Sequence, residues 1–122
     1  MPKKSESKTF LGKTVTVKMD RPLGSKHPKH GFTYTVNYGF ILGTMSGDGE
    51  ELDAYVLNVT KPLGTFTGTC AAIIHRTNDD DDKLVVIPTG TTITTAEIER
   101  QTAFQEQWFK HEITYCAFFV RP

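Results

Sequence analysis

The sequence predicts a mainly β fold, a small antiparallel barrel or sandwich, with one helix toward the C-terminus. Three observations lead there. Short runs rich in β-branched and aromatic residues recur between glycine- and proline-bearing turns. One helix-periodic stretch with its own start signal follows them. A length of 122 residues with 38% hydrophobic side chains makes one domain, able to bury a core without a staple.

Taken in order, residues 1–12 read as a disordered polar tail and residues 13–122 as the single folded domain. Val15, Val17 and Met19 alternate with Thr14, Thr16 and Lys18, which is the period of a half-buried strand. Residues 20–32 hold two prolines and two glycines and read as a loop. Residues 33–41 suit a second strand, and residues 52–59 a third after a glycine-bearing acidic loop. Pro62 and Gly64 turn the chain into a strand over 67–75, and the loop at 79–82 leads into another over 84–87. Thr94, Thr95, Ala96 and Glu97 fit a capping box, with Ile93 and Ile98 placed for a hydrophobic staple. The helix is expected to run to about His111, with Phe104 and Trp108 on one face and Ile98, Phe109 and Ile113 widening it. Residues 115–120 are too apolar to be free and read as packed on this domain or on a second copy.

The net charge is zero, yet residues 1–30 carry eight Lys or Arg against two acids, and residues 31–122 carry six against twelve. Eight of the fourteen acids fall within 48–53 and 79–82, a crowding that costs energy unless water or cations offset it. Two solvated loops are the plain reading; a site for a hard divalent cation is the sharper one. Nucleic acid is disfavoured, because its grooves need basic residues interleaved with aromatics and the strands after residue 31 are acidic. The two cysteines, Cys70 and Cys116, lack metal-ligand spacing and exclude a disulfide scaffold, so they read as buried thiols. No apolar run approaches the roughly 20 residues that span a bilayer. The lysine-bearing N-terminal stretch has no apolar segment of a secretory signal. The expected setting is the cytoplasm.

The chemistry concentrates in Asn37-Tyr38-Gly39-Phe40 and in residues 46–53, SGDGEELD. Gly47 and Gly49 let the backbone curl, so Asp48, Glu50 and Asp53 can converge. The spacing is not that of an EF-hand. An open cluster of carboxylates, completed by water and substrate oxygens, suits Mg²⁺. Asp81 and Lys83 stand at a strand entrance, and Arg21 precedes a proline at the end of the first strand. Cations beside an acidic cluster are what a phosphoryl site requires.

The order DRPLGSKHP, NYGFI, SGDGEELDAYVL and DDDDKLVVIP resembles the soluble (family I) inorganic pyrophosphatases, and a short single-domain branch of them, over roughly residues 13–88. The resemblance implies a five-stranded, OB-like antiparallel barrel with one C-terminal helix (α+β). It implies hydrolysis of inorganic pyrophosphate to two phosphates by a metal-activated water, with several Mg²⁺ ions and Mn²⁺ as the alternative ion. Asp48, Asp53 and Asp81 match the family's metal aspartates, Asp53 as the bridging one. Glu50 stands where an Asp usually accepts the proton of the attacking water. Arg21, Tyr38 and Lys83 match its phosphate-binding residues. The family's extra N-terminal region has no counterpart here. The aspartate that usually opens the metal loop has no clean match: Asn78 is nearest, and Asp79 or Asp80 can substitute. The family's helical Tyr-Lys pair falls on Trp108-Phe109, with Lys110 displaced by one. Lys26, His27, Lys29 and His30 are candidates to rebuild that clamp, or else simply a solvated basic loop. Tyr38 could equally be a core aromatic with a satisfied hydroxyl. His75 and His111 read as packing or surface residues, Phe104 and Trp108 as core or interface. Pyrophosphate and a second copy of the chain are the expected partners. A non-catalytic relative that binds metal and phosphate, or an OB-like nucleic-acid module, are the alternative functions.

Overall fold

A computed structural model of the chain describes residues 6–44, 51–78 and 81–122. Its strands are β1 (Thr14–Arg21), β2 (Asn37–Ile41), β3 (Leu52–Val56), β4 (Thr65–Arg76) and β5 (Asp82–Ile87). The short β6 (Ile93–Thr94) precedes helix α1 (Thr95–Glu106), and β7 (His111–Tyr115) and β8 (Val120–Arg121) follow it. Five strands run in the order β1-β2-β3-β5-β4, and the first half of β4 pairs back onto β1, so the sheet closes into a barrel, while the second half of β4 carries β7. Four of its seams are antiparallel, as expected; β3–β5 is parallel, because the chain crosses through β4 between them.

β4 is twelve residues long and serves two partners. Its first half pairs with β1 and its second half with β7, and a register shift between Cys70 and Ala72 separates them. The alternation foreseen for β1 is present, with Val15, Val17 and Met19 buried and Thr14, Thr16 and Lys18 exposed. β5 is buried along its whole length. Leu84 and Val86 join Val15, Val17, Ala54, Val56 and Ile73 inside the barrel, while Val85 and Ile87 pack on the opposite face with Tyr38, Tyr55, Ile74 and Ile98 of α1. Two-sided burial explains why β5 reads as a continuous apolar run. Gly39 is required where β1 and β2 meet: a Cβ there would lie 2.0 Å from the Lys18 carbonyl oxygen.

Several boundaries differ from those expected, each for a tertiary reason. The helix ends at Glu106 rather than near His111. Residues 111–115 pair instead with the second half of β4, where a vacant edge outweighs helix propensity. The Thr94 hydroxyl accepts the Glu97 N–H at 3.1 Å, but the Glu97 carboxylate turns to Arg100, so only half of the capping box forms. The second strand begins at Asn37, with a single bridge from Thr33 to Lys26 before it. The third ends at Val56. Within the expected N-terminal tail, Ser7–Phe10 forms a 3-10 turn with Ser7 buried against Asp82, a polar anchor that composition conceals. At the C-terminus Phe119 and Val120 pack on this domain, whereas Phe118 is 85% exposed. Among the described residues no helix is long and apolar enough to cross a membrane.

Candidate active site

Strand register assembles the site. Asp53 on β3 lies opposite Lys83 on β5, and Tyr38 on β2 lies opposite Tyr55 on β3. Asp81 precedes Lys83 by two residues, which brings both to one side. The Lys83 ammonium donates to Asp53 Oδ2 and to Asp81 Oδ2, at 2.7 Å each. The Tyr38 hydroxyl donates to the same Asp53 oxygen at 2.8 Å. Lys83 is only 4% exposed in its side chain, Asp81 14% and Asp53 33%, so the cluster opens to solvent at Asp53. Burial penalises the Lys83 charge, but Asp53 and Asp81 outweigh it and raise its pKa, so the ammonium stays charged. Burial and the Asp53 carboxylate push the Tyr38 phenol well above its usual value, keeping it a neutral donor.

Behind this cluster lies a second that the sequence reading missed. Arg76, closing β4, donates to Glu106 through Nε at 3.0 Å and Nη2 at 2.7 Å, and through Nη1 to Asp81 at 3.4 Å. Its guanidinium sits 3.7 Å from the centre of the Phe109 ring. Tyr55 also donates to Glu106, and Gln105 links Tyr55 to Tyr34. Burial lowers the Arg76 pKa while the Glu106 carboxylate raises it; the raising prevails and the charge is kept. Arg76 ends an apolar strand and Glu106 ends a helix, thirty residues on. No local pattern couples them; only burial of both could have signalled the pair.

The other expected residues are placed less tightly. Arg21 is half-buried at the end of β1 and donates to the Asp20 carbonyl at 2.9 Å. Burial raises the Asp20 carboxyl. Lys26 is exposed. His27 accepts the backbone N–H groups of Lys29 and His30 at Nδ1 and stacks on the His30 ring. His75 pairs with Asp82 and His111 with Glu99, as structural residues. Burial pushes the Cys70 thiol up to about 12, which makes it inert. Asp48, Glu50 and Asp79 lie outside the described residues. Among the described residues no group of three or more His, Cys, Asp or Glu side chains is arranged around a metal position. Asp53 and Asp81 do contribute two hard carboxylate donors held together by one ammonium, a donor chemistry that fits Mg²⁺.

A cleft of about 670 Å³ is lined by His27, His30, Phe32, Arg76, Trp108 and Phe109 among others, and by none of Asp53, Asp81, Lys83 or Tyr38. Phe104 packs against the core, while Trp108, past the end of α1, is 60% exposed.

The fold is similar to that of solved inorganic pyrophosphatases. That of Ehrlichia chaffeensis superposes with a TM-score of 0.66 at 17% identity, covering 88% of this chain and 89% of that one. That of Thermus thermophilus gives 0.58 at 18%, over 83% and 80%. That of Coxiella burnetii gives 0.57 at 17%, over 84% of both. No curated protein sequence is matched significantly. The family model described as inorganic pyrophosphatase matches residues 1–119. Spanning the barrel, the Asp53–Lys83–Asp81 cluster and α1 alike, that match establishes that the chain belongs to the inorganic pyrophosphatase family.

Proposed function

We propose that the protein hydrolyses inorganic pyrophosphate to two phosphates in a Mg²⁺-dependent reaction. The observation that carries this reading is the buried, charged Lys83 between Asp53 and Asp81. Two carboxylates around one ammonium make a site that holds cations and anions together, which a phosphoanhydride needs. Asp53 and Asp81, with Asp48 and Asp79, are the residues that would hold the metal. When bound, Mg²⁺ neutralises phosphoryl charge and makes water more acidic.

The chain's own residues then divide the work. Lys83 supplies a fixed positive charge to a phosphoryl oxygen. Tyr38, a neutral phenol, donates a hydrogen bond, and Arg21 closes the site from the end of β1. Lys26 and His27 stand in the basic loop that completes the clamp, and Glu50 receives the proton of the attacking water. A cytoplasmic homo-oligomer is part of the same reading. Two free thiols support the compartment, and the exposed Phe118 and Trp108 support subunit contact.

The test is phosphate release from pyrophosphate with Mg²⁺, with Mn²⁺ and in excess chelator, beside metal binding measured by calorimetry. Release confined to the metal-containing reactions is expected. Full turnover in chelator would overturn the metal-dependent mechanism, and metal binding without turnover would favour the non-catalytic alternative.

A further inference from the structure

Arg76 closes β4 and Asp81 stands just before β5, and the two residues hold each other twice. The Arg76 backbone N–H donates to the Asp81 carbonyl oxygen at 2.9 Å. Their side chains meet as well: Arg76 Nη1 lies 3.4 Å from Asp81 Oδ2, the oxygen that also accepts from the Lys83 ammonium at 2.7 Å. At 3.4 Å the Nη1 arm is long, and by itself it would hold a carboxylate loosely. The rest of the guanidinium gives it direction.

A guanidinium is planar, so its nitrogens cannot be aimed independently. Nε and Nη2 engage the two Glu106 oxygens at 3.0 and 2.7 Å, a bidentate pair. The Phe109 ring centre lies 3.7 Å from the guanidinium carbon. Glu106 is held in turn by the Tyr55 hydroxyl, and its side chain is only 1% exposed. These contacts fix the plane, and with it the line along which Nη1 points at Asp81. Charge alone does not account for the arrangement. Glu106 offsets the guanidinium at closer range than Asp81 does, and Lys83 already balances Asp81. What Arg76 adds is orientation, since two donors from neighbouring strands converge on one carboxylate oxygen and restrict its rotation. Groups that hydrogen-bond a metal-holding carboxylate from behind orient it and tune the metal it binds.

We propose that Arg76 is a positioning residue for the metal. Acting through Asp81, it fixes the carboxylate edge presented to Mg²⁺ and so sets the affinity of the site, without itself touching the ion. The inference rests on the reading that Asp53 and Asp81 hold the metal.

The test measures Mg²⁺ binding to the full chain by calorimetry, after removal of metal by chelator and dialysis, beside the Mg²⁺ dependence of phosphate release from pyrophosphate. Arg76→Lys keeps the charge and loses the fork. Arg76→Gln combined with Glu106→Gln keeps the net charge of the pair and strands neither partner, so it guards against simple unfolding. Both variants are expected to raise the Kd for Mg²⁺ by about tenfold with the number of sites per chain unchanged, and to raise the Mg²⁺ concentration for half-maximal phosphate release in parallel. A Kd within about twofold of the parent in either variant would overturn the positioning role and leave the pyrophosphatase reading intact. So would fewer sites per chain at unchanged Kd, which is what a merely structural role produces, or tighter binding, which is what simple repulsion between guanidinium and ion produces. A parent chain that binds no Mg²⁺ would overturn both readings. Metal binding weakened as expected, with no phosphate released by the parent, would overturn the hydrolytic reading alone.

Discussion

Two charged clusters share Asp81, and they differ in one property. Asp53, Lys83 and Asp81 form the first, with Asp53 33% exposed; Arg76, Glu106 and Tyr55 form the second, with Glu106 only 1% exposed. Both satisfy buried charge with opposite charge and hydrogen bonds. Only the first leaves a carboxylate that a ligand can reach. A buried ion pair costs desolvation that its Coulombic attraction roughly returns, so the sealed cluster serves to hold β4 and α1 in register. The open cluster keeps carboxylates together at a cost that a bound cation can relieve. Accessibility separates the candidate catalytic cluster from its scaffold; charge count does not.

Substitutions can break that contrast. The largest effect is expected from Asp53→Asn, which should lower pyrophosphate turnover by on the order of 10³-fold, since metal charge stabilisation is worth several kcal/mol. Its denaturation midpoint should move less than its activity, because the Asn carbonyl can still accept from Tyr38 and Lys83 while Asp81 continues to balance the ammonium. Asp80→Asn, inside a run whose neighbours can substitute, should cost far less activity; equal losses would mean Asp53 is misassigned. Glu106→Ala should do the reverse. Stranding the Arg76 guanidinium should cost about 3–5 kcal/mol by urea unfolding. A mild stability change there would show that Asp81 alone can satisfy Arg76.

Glu50→Gln keeps length and removes the proposed base, so it should slow turnover by about 10²-fold where chemistry limits the rate. Wild-type turnover would send the search for the base to Asp48, Asp79 and Asp80. The smallest effect concerns pH. Burial lowers the His111 pKa, but the Glu99 hydrogen bond and charge raise it further, to above the usual imidazole value of about 6.5. A raised folded-state pKa stabilises fully below the unfolded value and is lost as pH rises through the folded one. Stability should therefore decline from about pH 6.5 upward, and Glu99→Gln should flatten that slope in unfolding curves measured at successive pH values.

Much of the fold was legible because it rests on local periodicity. The alternation of β1, the apolar run of β5 and the Thr94 cap each act within a few residues. The open cluster was half legible for a related reason. Asp81 and Lys83 sit two apart on one strand entrance, and Tyr38 precedes a glycine needed for a close strand crossing. The helix end was not legible, since residues 107–115 choose between continuing a helix and completing the edge of β4, and only the presence of that edge decides.

The sequence by itself determined a β-rich fold with one capped helix, the crowding of acids near glycines and the few cations beside them. These follow from side-chain alternation, backbone freedom and charge, which neighbouring residues settle among themselves. The tertiary structure alone decided that Lys83 bridges Asp53 and Asp81, that Arg76 and Glu106 are buried against each other, and that Trp108 stands over a ring-lined cleft. Apart from Lys83 and Asp81, two residues apart, those pairings join residues about thirty or more positions apart, and whether a charge is sealed or open depends on what the fold packs over it.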